Sequence, residues 1–306
     1  MEFITDLVQL KIEKRSAITL GKFDGLHRGH QLLTNQVLQK KKEGYTAVIF
    51  TFDTPPSKLF NGQSNKTILT NQERRILAER MQMDCMVQCP FTKEVACMEP
   101  EDFIQDILVK KMNVGFIAVG EDFRFGYKRK GDTALLLELA KKYDYQAVIL
   151  SKEQYQGRDI SSTYIREMLS IGNMELVKLL LGYPFFISGK VIFGKQLGRT
   201  IGIPTANQLP DTDKFLPPNG VYASCVQLGH KKYYSMTNIG VRPTVECTNQ
   251  KNVETYLFDY QGELYGTDLT VQLLHYEREE CQFDSVETLK KQLYSDLITT
   301  REWLHI

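Results

Sequence analysis

Two histidines, His27 and His30, stand three residues apart where a buried strand predicted at 17–20 gives way to a helix. Glycines recur every four residues through this run, residues 21–30. Glycine lets a backbone approach a nucleotide closely, and the N–H groups at the start of the following helix can bind its phosphates. The imidazoles can then donate hydrogen bonds to the charge that develops on a phosphorus under attack. The run therefore predicts a nucleotidyl-transfer site.

A surface turn with two solvated histidines is the alternative interpretation of the same residues. Their position favours the site, because open parallel sheets bind ligands beyond the carboxyl ends of their strands. Only five histidines occur in the chain, and two of them fall in this one turn. The elements around the turn must therefore form such a sheet.

Hydrophobic periodicity predicts that sheet in the first half of the chain. Short apolar runs alternate with helix-period segments, a pattern typical of a doubly wound α/β domain. Thr70 and Glu73 have the spacing of a capping box, and Asp132 can cap a later helix. The predicted strands lie at 17–20, 46–52, 85–87, 116–119 and 147–150.

The pattern changes after two short helices predicted at 163–170 and 174–181. Residues 185–276 alternate apolar runs with Gly, Pro and Asn turns, which predicts a small β-barrel or a sandwich. The tail from 284 to 303 has the period of one amphipathic helix, capped by Asp284 or Ser285.

Composition sets limits on the function class. The 306 residues can form two ordinary domains or one large one, and the 42% hydrophobic content is enough for their cores. The formal net charge is +1, so no overall field favours nucleic acid or an anionic membrane. The first residues lack the apolar core of a signal peptide, and no apolar stretch approaches the length of about 18 residues that a membrane span needs, which predicts a cytoplasmic protein. The six cysteines form no C-x-x-C pair, which predicts reduced thiols rather than a zinc site.

Four segments, in order along nearly the whole chain, resemble the signatures of the bacterial bifunctional riboflavin kinase and FMN adenylyltransferase family, or FAD synthetases. They are Gly21-x-Phe23-Asp24-Gly25-x-His27-x-Gly29-His30, Val119 to Gly126 with Gly131-Asp132, Ile160-Ser161-Ser162-Thr163-x-Ile165-Arg166, and Gly198-Arg199-x-x-Gly202-x-Pro204-Thr205-Ala206-Asn207. The resemblance implies a Rossmann-like HxGH nucleotidyltransferase domain over 1–182 and a small antiparallel β-barrel with a terminal helix, a riboflavin kinase domain, over 183–306.

For the first domain the resemblance implies transfer of AMP from ATP to FMN, which yields FAD and pyrophosphate. Phe123 or Phe125 would flank the isoalloxazine ring, although aromatic residues in this loop can equally fill the core. Ser162 and Thr163 would bind phosphate, although they also suit the cap of a helix. The implied catalytic residues are His27, His30 and Arg166, and the implied binding residues are Gly21, Phe23, Asp24, Gly29, Asp122, Phe123, Phe125, Ser162 and Thr163.

For the second domain the resemblance implies transfer of phosphate from ATP to riboflavin. Glu254 would be the base, with an outward-facing strand carboxylate as the alternative. Thr205 and Asn207 would bind Mg²⁺ through hard oxygen atoms. The resemblance also implies a glycine flap that closes over the nucleotide, although these glycines could instead be turns and bulges: Gly189, Gly194, Gly198 and Gly202. Arg278 is the last implied binding residue and would lie near the flavin, with a solvated surface residue as the alternative.

Two positions depart from the family pattern. Pro55 stands where the family has a histidine, which predicts a slower adenylyl transfer because one phosphate donor is missing, and Tyr256 stands where the family often has histidine. The alternatives are therefore a single-activity enzyme, with the adenylyltransferase half weak or lost, or a flavin-binding regulator without turnover. The expected ligands are riboflavin, FMN, FAD, ATP and Mg²⁺, with no nucleic-acid or membrane partner. The sequence is compatible with an oligomer.

Overall fold

The computed structural model describes residues 1–53, 66–194, 198, 202–229, 231–241 and 251–306, so Pro55 lies outside the described residues. The chain divides into two compact units, residues 1–162 and 163–306. The two short helices that precede residue 182 fall mostly in the second unit.

The elements of the first unit are β1 Glu2–Ile4, β2 Ser16–Leu20, α1 Arg28–Lys42, β3 Thr46–Phe52, α2 Asn71–Arg80, β4 Cys85–Cys89, α3 Lys93–Ala96, α4 Pro100–Asp102, a π-helix Phe103–Val109, β5 Val114–Gly120, a 3₁₀ turn Tyr127–Arg129, α5 Thr133–Lys142, β6 Gln146–Leu150, β7 Gln154–Tyr155 and β8 Arg158–Asp159. Those that follow are α6 Ser162–Ser170, α7 Met174–Leu181, β9 Phe186–Ile192, β10 Ala206–Gln208, β11 Gly220–Leu228, β12 Lys231–Val241, β13 Lys251–Leu257, β14 Asp268–Glu279 and α8 Val286–Leu304.

The first unit is built on a six-stranded parallel sheet of order β1-β4-β3-β2-β5-β6. From β2 the chain proceeds to β3 and β4 on one side, whereas β5 and β6 lie on the other side. The strand order therefore reverses between β2 and β5, which is the position where open α/β sheets bind ligands. The predicted doubly wound fold is confirmed, and the His27 turn follows β2 at this switch point.

Polar caps begin three of the helices at the predicted places. Thr70 and Glu73 form a capping box at the start of α2. The carboxylate of Asp132 accepts a hydrogen bond from Leu135 N at 3.0 Å. Ser285 caps α8, with 3.2 Å between its Oγ and Thr288 N. These bonds satisfy N–H groups that a helix start otherwise leaves without partners.

The second unit contains a closed antiparallel barrel of order β10-β13-β12-β11-β14-β9, so the barrel prediction is confirmed over the sandwich. Helix α8 packs on its outer surface, where Val221, Met236 and Leu304 share one apolar cluster. Within the described residues, no helix is long and apolar enough to cross a membrane.

Candidate active sites

The turn after β2 has a strained backbone. Phe23 and Leu26 have φ angles of 45° and 39°, which side-chain-bearing residues rarely adopt, and Gly25 between them has 94°. Both large side chains are fully buried. Their burial holds the backbone in this conformation, and such strain is typical of functional loops.

The two histidine rings form one stack with an aromatic support. The His27 and His30 ring centroids are 3.7 Å apart with the planes 22° apart, and the Phe23 ring meets His30 edge-on at 5.1 Å. Phe23 was predicted as a binding residue, yet it has no exposed surface. It therefore supports the His30 imidazole. A Cβ on Gly21 would lie 3.2 Å from this ring, so Gly21 leaves room for it.

Both imidazoles are neutral at pH 7. Burial lowers the pKa of His27 to about 4, and burial together with the neighbouring His27 lowers the pKa of His30 well below its usual range. The Nδ1 atoms of both rings are buried and have no hydrogen-bond partner among the described residues. In the neutral imidazole, the tautomer with its proton on Nε2 is the one that would offer a ligand an N–H group from the nitrogen other than the buried Nδ1.

We expect the first unit to lose stability as the pH falls from about 6.5 toward 4. The unfolded chain protonates its histidines in that range, whereas His27 stays neutral until about pH 4, so the unfolded state binds more protons there. The slope can reach about 1.4 kcal/mol per pH unit for each histidine. Urea unfolding followed by circular dichroism at a series of pH values measures it. His27→Gln should flatten the slope, and an unchanged slope in that variant would contradict the assignment.

Two of the predicted motifs meet at Asp24. Its carboxylate accepts hydrogen bonds from Ile68 N at 2.7 Å and Leu69 N at 3.4 Å, and its backbone oxygen accepts one from the Ser162 hydroxyl at 2.7 Å. Asp24 therefore fixes the strained turn to two other segments of the chain. Ser162 is the first residue of α6, and its hydroxyl forms this hydrogen bond to the turn. Of the other α6 residues predicted for the site, Thr163 is exposed and Arg166 half-buried.

Arg74 is a buried residue next to the turn that the sequence analysis did not identify. Its Nη1 donates to Lys22 O at 3.3 Å, Thr51 Oγ1 at 3.1 Å and Phe52 O at 3.1 Å. Burial lowers the pKa of its guanidinium. One side chain thus joins the turn after β2 to the end of β3, and nothing local in the sequence of α2 indicates this long-range contact.

The loop after β5 places its two predicted aromatic rings differently. Phe125 is 8% exposed and belongs to the core, so the expectation that it contacts a ligand does not fit its burial. Phe123 is half-buried and stacks on it at 5.4 Å, which leaves Phe123 as the ring with a surface for a flavin. Asp122 forms an exposed ion pair with Lys152 at 3.2 Å.

In the barrel, three of the predicted kinase residues, Asn207, Glu254 and Arg278, lie in one row across the strands. Asn207 on β10 pairs with Glu254 on β13, which pairs with Asn238 on β12. The row continues through Val221 on β11 to Arg278 on β14. Cross-strand partners point to the same face of a sheet, so Asn207 and Glu254 are neighbours on one surface of the barrel.

The predicted magnesium ligands lie close together. The Nδ2 atom of Asn207 is 3.3 Å from the Thr205 hydroxyl oxygen and 3.2 Å from Thr205 O. Asn207 is 93% buried, whereas Glu254 is half-buried. The residue types, a hydroxyl, an amide and a nearby carboxylate, suit Mg²⁺, which keeps several waters and also binds substrate phosphates. The amide atom that faces Thr205 is the nitrogen, whereas the Asn207 oxygen faces Asn252.

Asn252 joins Asn207, the predicted metal ligand, to the Glu254 carboxylate. Its Nδ2 donates to Asn207 Oδ1 at 3.1 Å and to Glu254 Oε1 at 2.8 Å. Sequence reasoning missed this residue, although its position two residues before Glu254 places it on the same face of β13. Tyr256, two residues after Glu254, is half-buried on that face and meets Phe258 edge-on at 5.5 Å.

The four glycines of the predicted flap have different surroundings. A Cβ on Gly194 would lie 2.6 Å from the Asn207 amide, and one on Gly198 would lie 2.2 Å from Ile203 O. Gly202 has φ of +84°. Gly189 lies inside strand β9, paired with Leu269, so it belongs to the barrel wall and not to a flap.

We expect Gly194→Ala to slow the riboflavin phosphorylation that the resemblance implies for this unit by about tenfold or more. The added methyl would displace the Asn207 side chain, and crowding of this kind costs about 1–3 kcal/mol. Gly189→Ala is the matched control, because its Cβ would meet nothing closer than Gln208 Nε2 at 3.6 Å. Initial rates of FMN formation measure both variants. Equal rates for the two would show that the contact with Asn207 is unimportant.

Arg278 is held by other protein groups. Its Nε and Nη2 donate to the buried carboxylate of Asp296 at 2.8 and 2.6 Å, and its Nη1 donates to Glu279 O at 2.8 Å and Cys281 Sγ at 3.2 Å. The bond to Asp296 raises the pKa of the guanidinium. Arg278 therefore fastens α8 to β14 and is not a solvated surface residue.

Comparison with known proteins assigns each unit to a class. Residues 9–164 match the family described as FAD synthetase, and residues 181–304 match the family described as riboflavin kinase. A sheet with paired histidines at its switch point and a barrel with an asparagine–glutamate pair thus define a two-domain transferase of flavin nucleotides.

Full-length relatives carry the same two domains. The Escherichia coli K12 bifunctional riboflavin kinase/FMN adenylyltransferase is 38% identical over 290 residues, which cover 94% of this chain and 92% of that protein. The protein of the same description from Buchnera aphidicola subsp. Schizaphis graminum is 36% identical over 304 residues, covering 97% and 96%. The chain belongs to the bifunctional riboflavin kinase/FMN adenylyltransferase family, as its motifs predicted.

A solved structure has the same fold over the whole length. The crystal structure described as a macrolide-efflux protein from Streptococcus pneumoniae is 30% identical, covers 98% of each chain and superposes with a TM-score of 0.84. The folds of both units therefore recur together in an experimentally determined protein.

Proposed function

We propose that this protein phosphorylates riboflavin to FMN in the barrel and adenylylates FMN to FAD at the parallel sheet, with ATP as the donor in both reactions. The observation that carries the proposal is that each unit has its own set of polar groups suited to one of the two steps: the stacked imidazoles after β2 and the row of Asn207 and Glu254 in the barrel. The family of the chain supports the same pair of reactions.

In the kinase step Glu254 accepts the proton of the terminal ribityl hydroxyl as its oxygen attacks the γ-phosphorus of ATP, and ADP leaves. A half-buried carboxylate held by Asn252 at 2.8 Å is in a defined position for that role. Thr205 and Asn207 would hold Mg²⁺, which supplies charge neutralisation on the ATP phosphates. Gly194 and Gly198 allow the backbone beside this site to pack closely.

In the adenylyl-transfer step the FMN phosphate attacks the α-phosphorus of ATP, and pyrophosphate leaves. The phosphate is already ionised, so the step needs no base, and the protein contributes positioning and charge stabilisation. His27 and His30 donate their Nε2–H groups to the developing charge, while the start of α1 offers backbone N–H groups. Ser162, Thr163 and Arg166 would bind phosphate, and Phe123 would flank the flavin.

The functional domains that we propose are residues 1–182 and 183–306, and the family matches at 9–164 and 181–304 support this division. Phosphorylation and adenylylation draw on small soluble substrates, riboflavin, FMN and ATP, which supports a cytoplasmic location.

One incubation tests the proposal. Purified protein with riboflavin, ATP and Mg²⁺ should give FMN first and FAD later, as separated by chromatography. Supplied FMN should give FAD directly. FMN without FAD would show that only the kinase is active, and neither product would contradict the proposal.

A further inference from the structure

The amide of Asn252 has an unusual set of partners. Its one nitrogen donates to two acceptors on two different strands, Asn207 Oδ1 on β10 and Glu254 Oε1 on its own strand β13. The side chain is 93% buried. Its own Oδ1 is also buried and has no hydrogen-bond partner among the described residues. Among the described residues, the contacts of this side chain are therefore made by its nitrogen, which donates to two oxygen atoms.

The Glu254 carboxylate determines which atom of the Asn252 amide faces it. Glu254, when ionised, has only acceptors, so the Asn252 atom beside it at 2.8 Å must be the nitrogen. That nitrogen then requires an acceptor from Asn207, which turns the Asn207 oxygen toward Asn252 and its nitrogen toward Thr205. The Glu254 carboxylate thus sets the orientation of Asn252, and Asn252 in turn sets that of Asn207.

We propose that Asn252 is a positioning residue for the kinase reaction, and that it orients the metal ligand Asn207 and the base Glu254 together. The inference rests on the proposed function of this site. The Asn252 side chain would hold Glu254, which takes the proton, and Asn207, which would bind Mg²⁺, in a fixed position relative to each other. Asn252 makes this contribution through its two neighbours.

A purely structural role of Asn252 predicts equal losses of ADP binding in Mg²⁺ and in EDTA. The affinity for ADP is therefore measured as well as the rate. Asn252→Ala should lower kcat for FMN formation by about 10- to 100-fold, the usual effect of losing a residue that orients a metal ligand, with little change in the KM for riboflavin. Calorimetric titration with ADP should show weaker binding by a similar factor in Mg²⁺ and unchanged binding in EDTA. Asn252→Ser keeps one donor and should recover part of both losses.

Two further variants isolate the effect. Thr270→Val removes the 2.8 Å hydroxyl contact between Thr270 and Ser188 elsewhere in the barrel, and it should leave both measurements unchanged. In an Asn207→Ala background, Asn252→Ala should weaken Mg²⁺-dependent ADP binding no further, because the residue through which it acts is already gone.

Each outcome decides the question. Unchanged kcat and Mg²⁺-ADP affinity in Asn252→Ala would overturn the inference, and so would equal losses in Mg²⁺ and in EDTA or a full additional loss in the Asn207→Ala background. If Asn252→Ala does not fold, Asn252→Ser and Asn252→Leu decide together. A loss in the leucine variant, which has no donor, with smaller losses in the serine variant supports the inference, and equal values in the two variants overturn it. A wild-type protein that makes no FMN would refute the proposed function, whereas an active wild type with insensitive variants would refute only the role of Asn252.

Discussion

Glu254→Ala should abolish FMN formation from riboflavin and leave FAD formation from supplied FMN unchanged. In the proposed mechanism the carboxylate accepts the proton of the kinase step, and a positioned base contributes about 10²- to 10⁴-fold to the rate. The loss should lie in kcat, because the hydroxyl can still bind. Chromatography of the two reactions, run separately on the same protein preparation, measures both activities.

Two controls make this result specific to the carboxylate. Glu254→Gln keeps the side-chain length and removes the base, so it should be as inactive as Glu254→Ala while keeping a barrel of normal stability. Glu263→Ala removes an exposed carboxylate elsewhere in the same unit and should have no effect. Equal damage to both reactions by Glu254→Ala would show that the two activities do not have separate sites.

His30→Ala should have the opposite effect, with FAD formation from FMN reduced by about 10²- to 10³-fold and FMN formation unchanged. The alanine removes the N–H group that we propose as a donor to the charge on the α-phosphorus. It also removes the ring that stacks on His27 at 3.7 Å and meets Phe23, so His27 loses its support as well. Rates of pyrophosphate release with FMN and ATP measure the step.

The protonation state of His30 gives a sharper control. Because burial keeps the imidazole neutral at pH 7, its contribution is one N–H donor rather than a positive charge. His30→Gln places an amide N–H near the position of Nε2 and should recover part of the lost rate. His30→Leu fills the space without a donor and should remain as slow as the alanine variant. Equal rates for Gln and Leu would indicate that the ring acts only by packing.

Local patterns in the sequence were sufficient to predict those elements whose structure is determined by interactions between nearby residues. The capping box at Thr70 and Glu73 and the caps at Asp132 and Ser285 lie where hydrogen-bonding side chains precede helix-period segments. The β2 strand and the histidine turn were predictable for the same reason, since a buried strand followed by glycines has few alternatives. The barrel could not be distinguished from a sandwich, because closure depends on pairing between β9 and β10, which no local pattern shows.

The residues that the sequence did not reveal act over long separations in the chain. Arg74 reaches back 52 residues to Lys22 O, and Asn252 reaches 45 residues to Asn207. Strand β1 has three residues, too few for a periodic signal. The loop motif left open whether Phe123 or Phe125 flanks the flavin or fills the core, and packing against Phe103 places Phe125 in the core.

The closed barrel has a consequence for aggregation. Each of the six described strands has a neighbour on both sides, so this part of the barrel presents no open strand edge to which a second chain could add during synthesis or refolding. In the parallel sheet the outermost strands are β1 and β6, and β1 offers only three residues. Edge-to-edge association of partly folded chains should therefore begin at β6, and a lysine or proline introduced there should raise the yield of refolded protein.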